Sequence, residues 1–375
     1  MISASRFRLA ATPFLFILLG VIYASWAARI PAIRDGLLLS PAQLGIVLLG
    51  GGFGAVASFP LAAGLVAKFG ARRAAWYAGL GLIVILPCTA LAPNMSLLMM
   101  TVVGLGAGSG CFDVAINAIG TENEKAAGRS TMSLLHAWFC VGTLSGSLLG
   151  SLMAGMGITP FVHFLGASLA LLIPLFIAYR ALPPDHVASE KPHELFAIAH
   201  GPVIALGIIG FCGAVAEGSI ADWSGVFMKD HLHVHDGVAP LAFAGFACLM
   251  LLARLVCDPL KDRFGARRVV SIGALLAAIG IFIAVLAVNV PVTLIGFALA
   301  GAGLASVFPF MFSAAGRHGS TALAAVATFS YSGGLIGPPA VGFLTQGWGL
   351  QVGIAFIGVL AIGISISASR AKWLE

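Results

Sequence analysis

Apolar residues dominate this chain in long blocks, and the charges fall between them. Eight stretches lack Asp, Glu, Lys and Arg: 9–28, 36–67, 74–112, 130–179, 195–216, 237–253, 269–316 and 318–369. A helix that crosses the hydrocarbon layer needs about 20 residues. The stretches 74–112, 130–179, 269–316 and 318–369 are therefore long enough to fold back once each. Turn-forming residues stand where the reversals are needed: Ala92-Pro93-Asn94, Gly155-Met156-Gly157, Asn289-Val290-Pro291 and Gln346-Gly347-Trp348-Gly349. Four doubled and four single stretches predict an all-α membrane protein of about twelve transmembrane helices.

The basic residues orient these spans, because cytoplasmic loops concentrate Lys and Arg. With both termini cytoplasmic, Arg6, Arg8, Lys68, Arg72, Arg73, Lys125, Arg129, Arg180, Lys191, Lys261, Arg263, Arg267, Arg268, Arg317, Arg370 and Lys372 fall on the inner face, 16 of the 20 Lys and Arg. Arg29, Arg34 and Lys229 fall on the outer face, and Arg254 lies within a span.

Composition agrees with this picture. Hydrophobic residues make up 59% and charged residues 9%, against about 25% charged in a soluble domain. Mean hydropathy is +1.03. The net charge of +6 forms no basic stripe, which argues against nucleic acid. The six cysteines lie inside apolar stretches, as packing residues do, and suggest neither a disulfide framework nor a metal site. The first stretch follows Arg6 and Arg8 like a signal peptide, but it runs on through Pro31 without a convincing cleavage site and reads as a retained helix. No Walker loop, paired-carboxylate hydrolase site or nucleophile elbow is present. The chain is therefore not expected to be an enzyme or to hold a cofactor.

The chain repeats itself. Phe69-Gly70-Ala71-Arg72-Arg73 recurs as Phe264-Gly265-Ala266-Arg267-Arg268, 195 positions later. Residues 106–120 align with 302–316 at an offset of 196, and Gly142 and Gly146 have counterparts in Gly333 and Gly337. These copies divide the chain into a six-helix bundle over 1–180, a cytoplasmic linker over 181–198 and a second bundle over 199–375. Parallel repeats of this kind place a substrate site between the halves near the bilayer midplane.

The string Asp262-Arg263-Phe264-Gly265-Ala266-Arg267-Arg268 is similar to the cytoplasmic loop signature of the major facilitator superfamily, and 64–73 is a degraded copy with Ala67 and Lys68 in place of the Asp-Arg pair. A closer likeness is to the fucose–proton symporter branch and its YbjJ-like relatives. It rests on Ile30-Pro31, Leu39-Ser40 and Gln43, on Asp113-Val114-Ala115-Ile116-Asn117, on Ala253-Arg254-Leu255 and on Phe308-Pro309. The resemblance covers about 14–350. It implies the major facilitator fold, an acid at position 113 in proton and substrate binding, a polar substrate-binding residue at 136, and gating roles for Asp262 and Arg263. One departure is Ala27, where the branch has an acid four residues before the proline.

An ionisable group at bilayer depth costs roughly 2.5–3.5 kcal/mol on insertion scales. Asp113, one turn above Asn117, has Pro309 as its repeat counterpart, so the acid belongs to one half only. It reads as the proton-coupling residue or as a structural acid paired with Arg129. His136 is expected at similar depth beyond a loop centred near 125, as a substrate-binding residue or a histidine bonded to backbone. Glu217 reads as a second proton-coupling candidate, and its neighbours Gly218 and Ser219 suggest an unwound helix. Asp222 should lie near the solvated surface. Arg29 either snorkels to water, pairs with Glu217 or Asp222 as an outer gate, or attracts an anion. Trp26, Trp138 and Trp223 are platforms for a sugar ring or packing residues. Arg254 and Asp258, four residues apart, read as a structural pair near the inner face, or as part of the gate. His231, His233 and His235 read as a solvated loop rather than a metal site.

The sum is an expected secondary transporter of the bacterial inner membrane, a monomer among lipids. It would move a small polar solute by alternating access, with protons as the coupling ion. Proton-linked efflux of drugs or metabolites is the alternative, and a passive membrane receptor is a third reading that the one-sided acid disfavours.

Overall fold

The computed structural model of the chain describes residues 2–127, 132–182, 203–371 and 374. Thirteen helices and no strand occur among the described residues: α1 (Ile2–Gly36), α2 (Pro41–Phe69), α3 (Ala71–Thr89), α4 (Met95–Ala127), α5 (Met132–Gly155), α6 (Pro160–Ala181), α7 (Val203–Leu232), α8 (Leu241–Phe264), α9 (Ala266–Leu286), α10 (Val290–Leu304), α11 (Val307–Arg317), α12 (Ser320–Trp348) and α13 (Leu350–Arg370). Lipid offers backbone groups no partners, so a segment that crosses it must satisfy its own as a helix. Ten segments among the described residues are long and apolar enough to cross a membrane. Because α10 and α11 are pieces of one such segment, Val290–Arg317, α3 and α12 bring the crossings to twelve. The predicted linker over 181–198 falls almost wholly outside the described residues.

The four anticipated reversals lie where the turn residues stand. Asn289 caps α10 by accepting the Val292 N–H at 3.1 Å, and Thr159 caps α6 by accepting that of Val162 at 3.4 Å. Gly349 makes the bend into α13 at φ 92°, a conformation that a Cβ would strain.

Two helices differ from expectation. The Gly218-Ser219 pair does not unwind α7, which is one continuous helix. Gly and Ser weaken a helix by at most about 1 kcal/mol each, and the buried neighbours Val215, Ala216, Ile220 and Ala221 hold the turn in place. The tenth crossing, conversely, breaks at Ala305 and Ser306. Pro309 has no N–H for the carbonyl four residues back, which is that of Ala305. Phe310 resumes the ladder by donating to Ser306 at 3.2 Å.

The chain forms two compact units, Met1–Arg29 with Gly50–His193, and Ile30–Leu49 with Glu194–Glu375. The repeated glycines do one job in each. A Cβ on Gly146 of α5 would come within 2.7 Å of the Val21 carbonyl oxygen on α1, and one on Gly337 of α12 within 3.1 Å of Val215 Cα on α7. Small residues let helix backbones approach where lipid provides no hydrophobic drive between helices. They seat the fifth crossing of each half on the first.

Candidate functional site

In the first unit, α4 presents Asp113 half-buried. Asn117 lies one turn on, and its amide donates to the Asp113 backbone carbonyl at 2.8 Å and to Oδ1 at 3.0 Å. No cation lies within ion-pair distance of Asp113 among the described residues. The helix continues another 14 residues to Ala127, about 21 Å at 1.5 Å per residue. Arg129, the partner weighed for Asp113, lies outside the described residues.

The packing of α5 on α4 corrects the expectation for His136. α4 is still helical at Ala127, and a Cβ on Gly120 would lie 3.0 Å from the Leu135 side chain and 3.1 Å from that of Met132 on α5. His136, next to Leu135, therefore lies near the level of Gly120, about 10 Å along α4 from Asp113 at 1.5 Å per residue, and does not share its depth. It is exposed and meets Phe16 edge-on at 5.5 Å between ring centroids. Trp138 is 37% exposed, whereas Trp26 is buried.

Arg29 does not snorkel. It is 4% exposed, and its Nη2 donates to the carbonyl of Ile158 in the turn between α5 and α6. Beside it lies a residue that the sequence reading did not select, His163 of α6. It is 3% exposed, within electrostatic range of Arg29, and neither ring nitrogen has a hydrogen-bond partner among the described residues. Its one sequence signal is a histidine deep in an apolar stretch.

In the second unit, Glu217 of α7 is half-buried, its Oε2 lacks a hydrogen-bond partner among the described residues, and Arg254 of α8 lies within electrostatic range. The anticipated pair of Arg254 with Asp258 does not form. Asp258 is exposed and makes no ion pair among the described residues, whereas Arg254 is half-buried. Asp222 is 9% exposed, not solvated, because α7 carries buried residues on every side at this level. Trp223 is fully buried, and a Cβ on Gly342 of α12 would meet its Cζ2 at 3.2 Å. It is a core residue rather than an open platform. Asp262 and Arg263 are exposed, and Arg263 lies over the Phe264 ring at 5.2 Å. His231 lies against Phe227 at 4.8 Å between centroids, and His235 Nδ1 accepts the Gly237 N–H at 3.2 Å.

The sequence reading also missed a cluster of charges in the second unit. Arg34 Nη1 and Nη2 meet the two carboxylate oxygens of Asp230 at 2.5 and 2.7 Å, and Arg34 Nε meets Asp35 at 2.8 Å. Lys229 bridges Asp35 at 2.7 Å and Asp236 at 2.6 Å. The signal was available: Arg34-Asp35 and Lys229-Asp230 are copies at the repeat offset of 195. Each base of one copy pairs with the acid of the other.

Comparison with known proteins agrees with this architecture. The profile of the Major Facilitator Superfamily matches residues 14–227 and 206–374. An uncharacterized MFS-type transporter of Yersinia pestis is 33% identical over 364 residues, 96% of this chain and 94% of its own. The membrane protein MosC of Rhizobium meliloti is 29% identical over 372 residues, 97% and 89% of the two chains. Among solved structures, a bacterial homolog of the human lysosomal transporter Spinster superposes with TM-score 0.79 at 13% identity, over 99% of this chain and 98% of that one. The nucleoside transporter NupG does so with TM-score 0.74 at 15% identity, over 96% and 98%. With two profile matches that together span nearly the whole chain, twelve crossings and a repeat legible in both sequence and packing, this multi-pass membrane protein belongs to the major facilitator superfamily of transporters.

Proposed function

We propose that this chain is a proton-coupled symporter of the bacterial inner membrane that moves a small polar solute, such as a sugar or related metabolite, by alternating access. Asp113 carries the proton, and Asn117 orients its carboxylate. The observation that carries this reading is the Asp113 geometry: an acid in mid-span, bonded to a neighbouring amide and paired with no cation among the described residues. A structural acid at that depth would be expected beside a cation. Glu217, His136, Trp138, Trp26, Arg29, Asp222 and Trp223 supply the remaining polar and aromatic groups, directly or by positioning, and Asp262, Arg263, Arg254 and Asp258 act on the cycle from the inner side. The ion-pair cluster of Arg34, Asp35, Lys229, Asp230 and Asp236 forms and parts as the outer side closes and opens. Both termini lie in the cytoplasm, and the monomer is the working unit.

The test is solute-dependent proton movement into proteoliposomes of the purified protein, read by an internal pH dye across a panel of sugars and polyols. The expected result is internal acidification that follows uptake of one solute class. Uptake without proton movement overturns the coupling. Acidification only when the solute is loaded inside favours the alternative, proton-linked efflux.

A further inference from the structure

At the inner ends of both units an arginine closes the same contact. In the first, Arg72 Nε donates to the backbone carbonyl of Tyr179 at 2.8 Å. In the second, Arg267, its repeat counterpart, donates to that of Ser369 at 2.6 Å. What surrounds the arginine differs. Arg72 lies over the Tyr179 ring at 4.2 Å, and Trp76 packs on that ring at 4.8 Å between centroids. At the repeat offset of 195, Trp76 corresponds to Ser271, and the hydrogen bond equates Tyr179 with Ser369. Two large aromatic side chains are thus replaced by two serines. Ser271 turns away to Ser365, each hydroxyl donating to the other's backbone carbonyl at 2.9 and 2.8 Å. The space is left as a cavity of about 440 Å³ lined by Phe264, Arg267, Arg268, Ser271, Ile272 and Ser369.

We propose that this cavity binds the phosphate headgroup of an anionic phospholipid from the surrounding leaflet. Arg267 and Arg268 give it two positive charges, Ser271 and Ser369 line its polar wall, and Phe264 and Ile272, 45% and 67% exposed, offer an apolar flank for an acyl chain. A soluble anion has no use for that flank. The cavity lies at the end of the spans where this chain concentrates its Lys and Arg, the side on which anionic headgroups meet basic pockets between helices. Arg268 is exposed and makes no ion pair among the described residues. Aromatic rings close the equivalent place in the first unit, so one such site is expected per chain.

Native mass spectrometry of the full-length protein in mild detergent, supplied with phosphatidylglycerol, phosphatidylcholine or inorganic phosphate, tests this. The wild type should retain phosphatidylglycerol in preference to phosphatidylcholine. Arg268→Gln should weaken that retention about fivefold, the factor expected for one basic residue near a headgroup. Arg73→Gln, the repeat counterpart, should leave it unchanged. Ser271→Trp, which restores the bulk of Trp76, should abolish it, and Arg268→Gln decides alone if that variant does not fold. Equal retention of both lipids, undiminished retention in Arg268→Gln, or full competition by inorganic phosphate would each overturn the proposal.

Discussion

Residues 106–120 and 302–316 are two copies of one segment of the repeat, yet the structure treats them differently. In the first copy α4 passes straight through, and Asp113 accepts a hydrogen bond from Asn117 one turn on. In the second, Pro309 stands at the place of Asp113, and the helix divides into α10 and α11 just before it. One copy places a charge in an intact helix; the other breaks the helix and carries no charge there. Duplication sets the frame, and single side chains with opposite demands on the backbone then give each half its own character. A carboxylate leaves the helical ladder intact and needs polar company, whereas proline removes a donor from the ladder.

The contrast can be broken most decisively at position 113. Asp113→Asn keeps the size and the contact with Asn117 but cannot carry a proton. Uphill accumulation of solute in proteoliposomes should fall to background, while solute exchange at equal concentrations continues. Wild-type accumulation by that variant would remove Asp113 from the coupling step.

A smaller effect is expected one turn away. Asn117→Ala takes the donor from Asp113 Oδ1, a charge-assisted bond whose loss is about 1.5 kcal/mol, or roughly tenfold in uphill transport rate. An unchanged rate would mean that Asp113 is oriented by something other than this amide.

The charge cluster of Arg34, Asp35, Lys229, Asp230 and Asp236 is the counter-example that sharpens the comparison, since here the repeat is retained. Arg34 and Lys229 pair crosswise with Asp230 and Asp35. Arg34→Gln should lower stability by about 1–2 kcal/mol, an amount moderated by the partial exposure of Asp230. Adding Asp230→Asn should recover part of the loss, as a double-mutant cycle on thermal unfolding can measure. Additive single changes would show that the pair contributes no coupling.

The smallest effect tests the other copy. Pro309→Ala supplies the N–H that the Ala305 carbonyl lacks, so α11 should extend backward by about a turn. Amide hydrogen exchange at 305–309 should slow several-fold with little change in global stability. Unchanged exchange would assign the break to packing rather than to proline.

Much of this was legible in the residues themselves. Lipid permits only self-satisfied backbone, so charge spacing and turn residues sufficed to locate the twelve crossings and all four reversals. The repeat paired Gly142 and Gly146 with Gly333 and Gly337, while their contacts with α1 and α7 came from the structure. Asp113 stood out because a charge in an apolar run needs a reason, and its hydrogen bond to Asn117 follows from their four-residue spacing. Other features depend on distances between segments that sequence does not contain. The depth of His136 changed because Leu135 packs beside Gly120 of α4, a register fixed by packing and not by the charge pattern. Gly218 and Ser219 looked like a break but were held helical by buried neighbours, whereas the tenth crossing divides just before Pro309. Trp223 and Asp222 were buried by helices distant in sequence, and His163 met Arg29 only because the turn at Ile158 folds α6 back beside α1. Local chemistry along the chain determined what crosses the membrane and where an acid lies within it. Which side chains meet was decided by tertiary packing, because that depends on helix rotation and length, to which a single apolar run is indifferent.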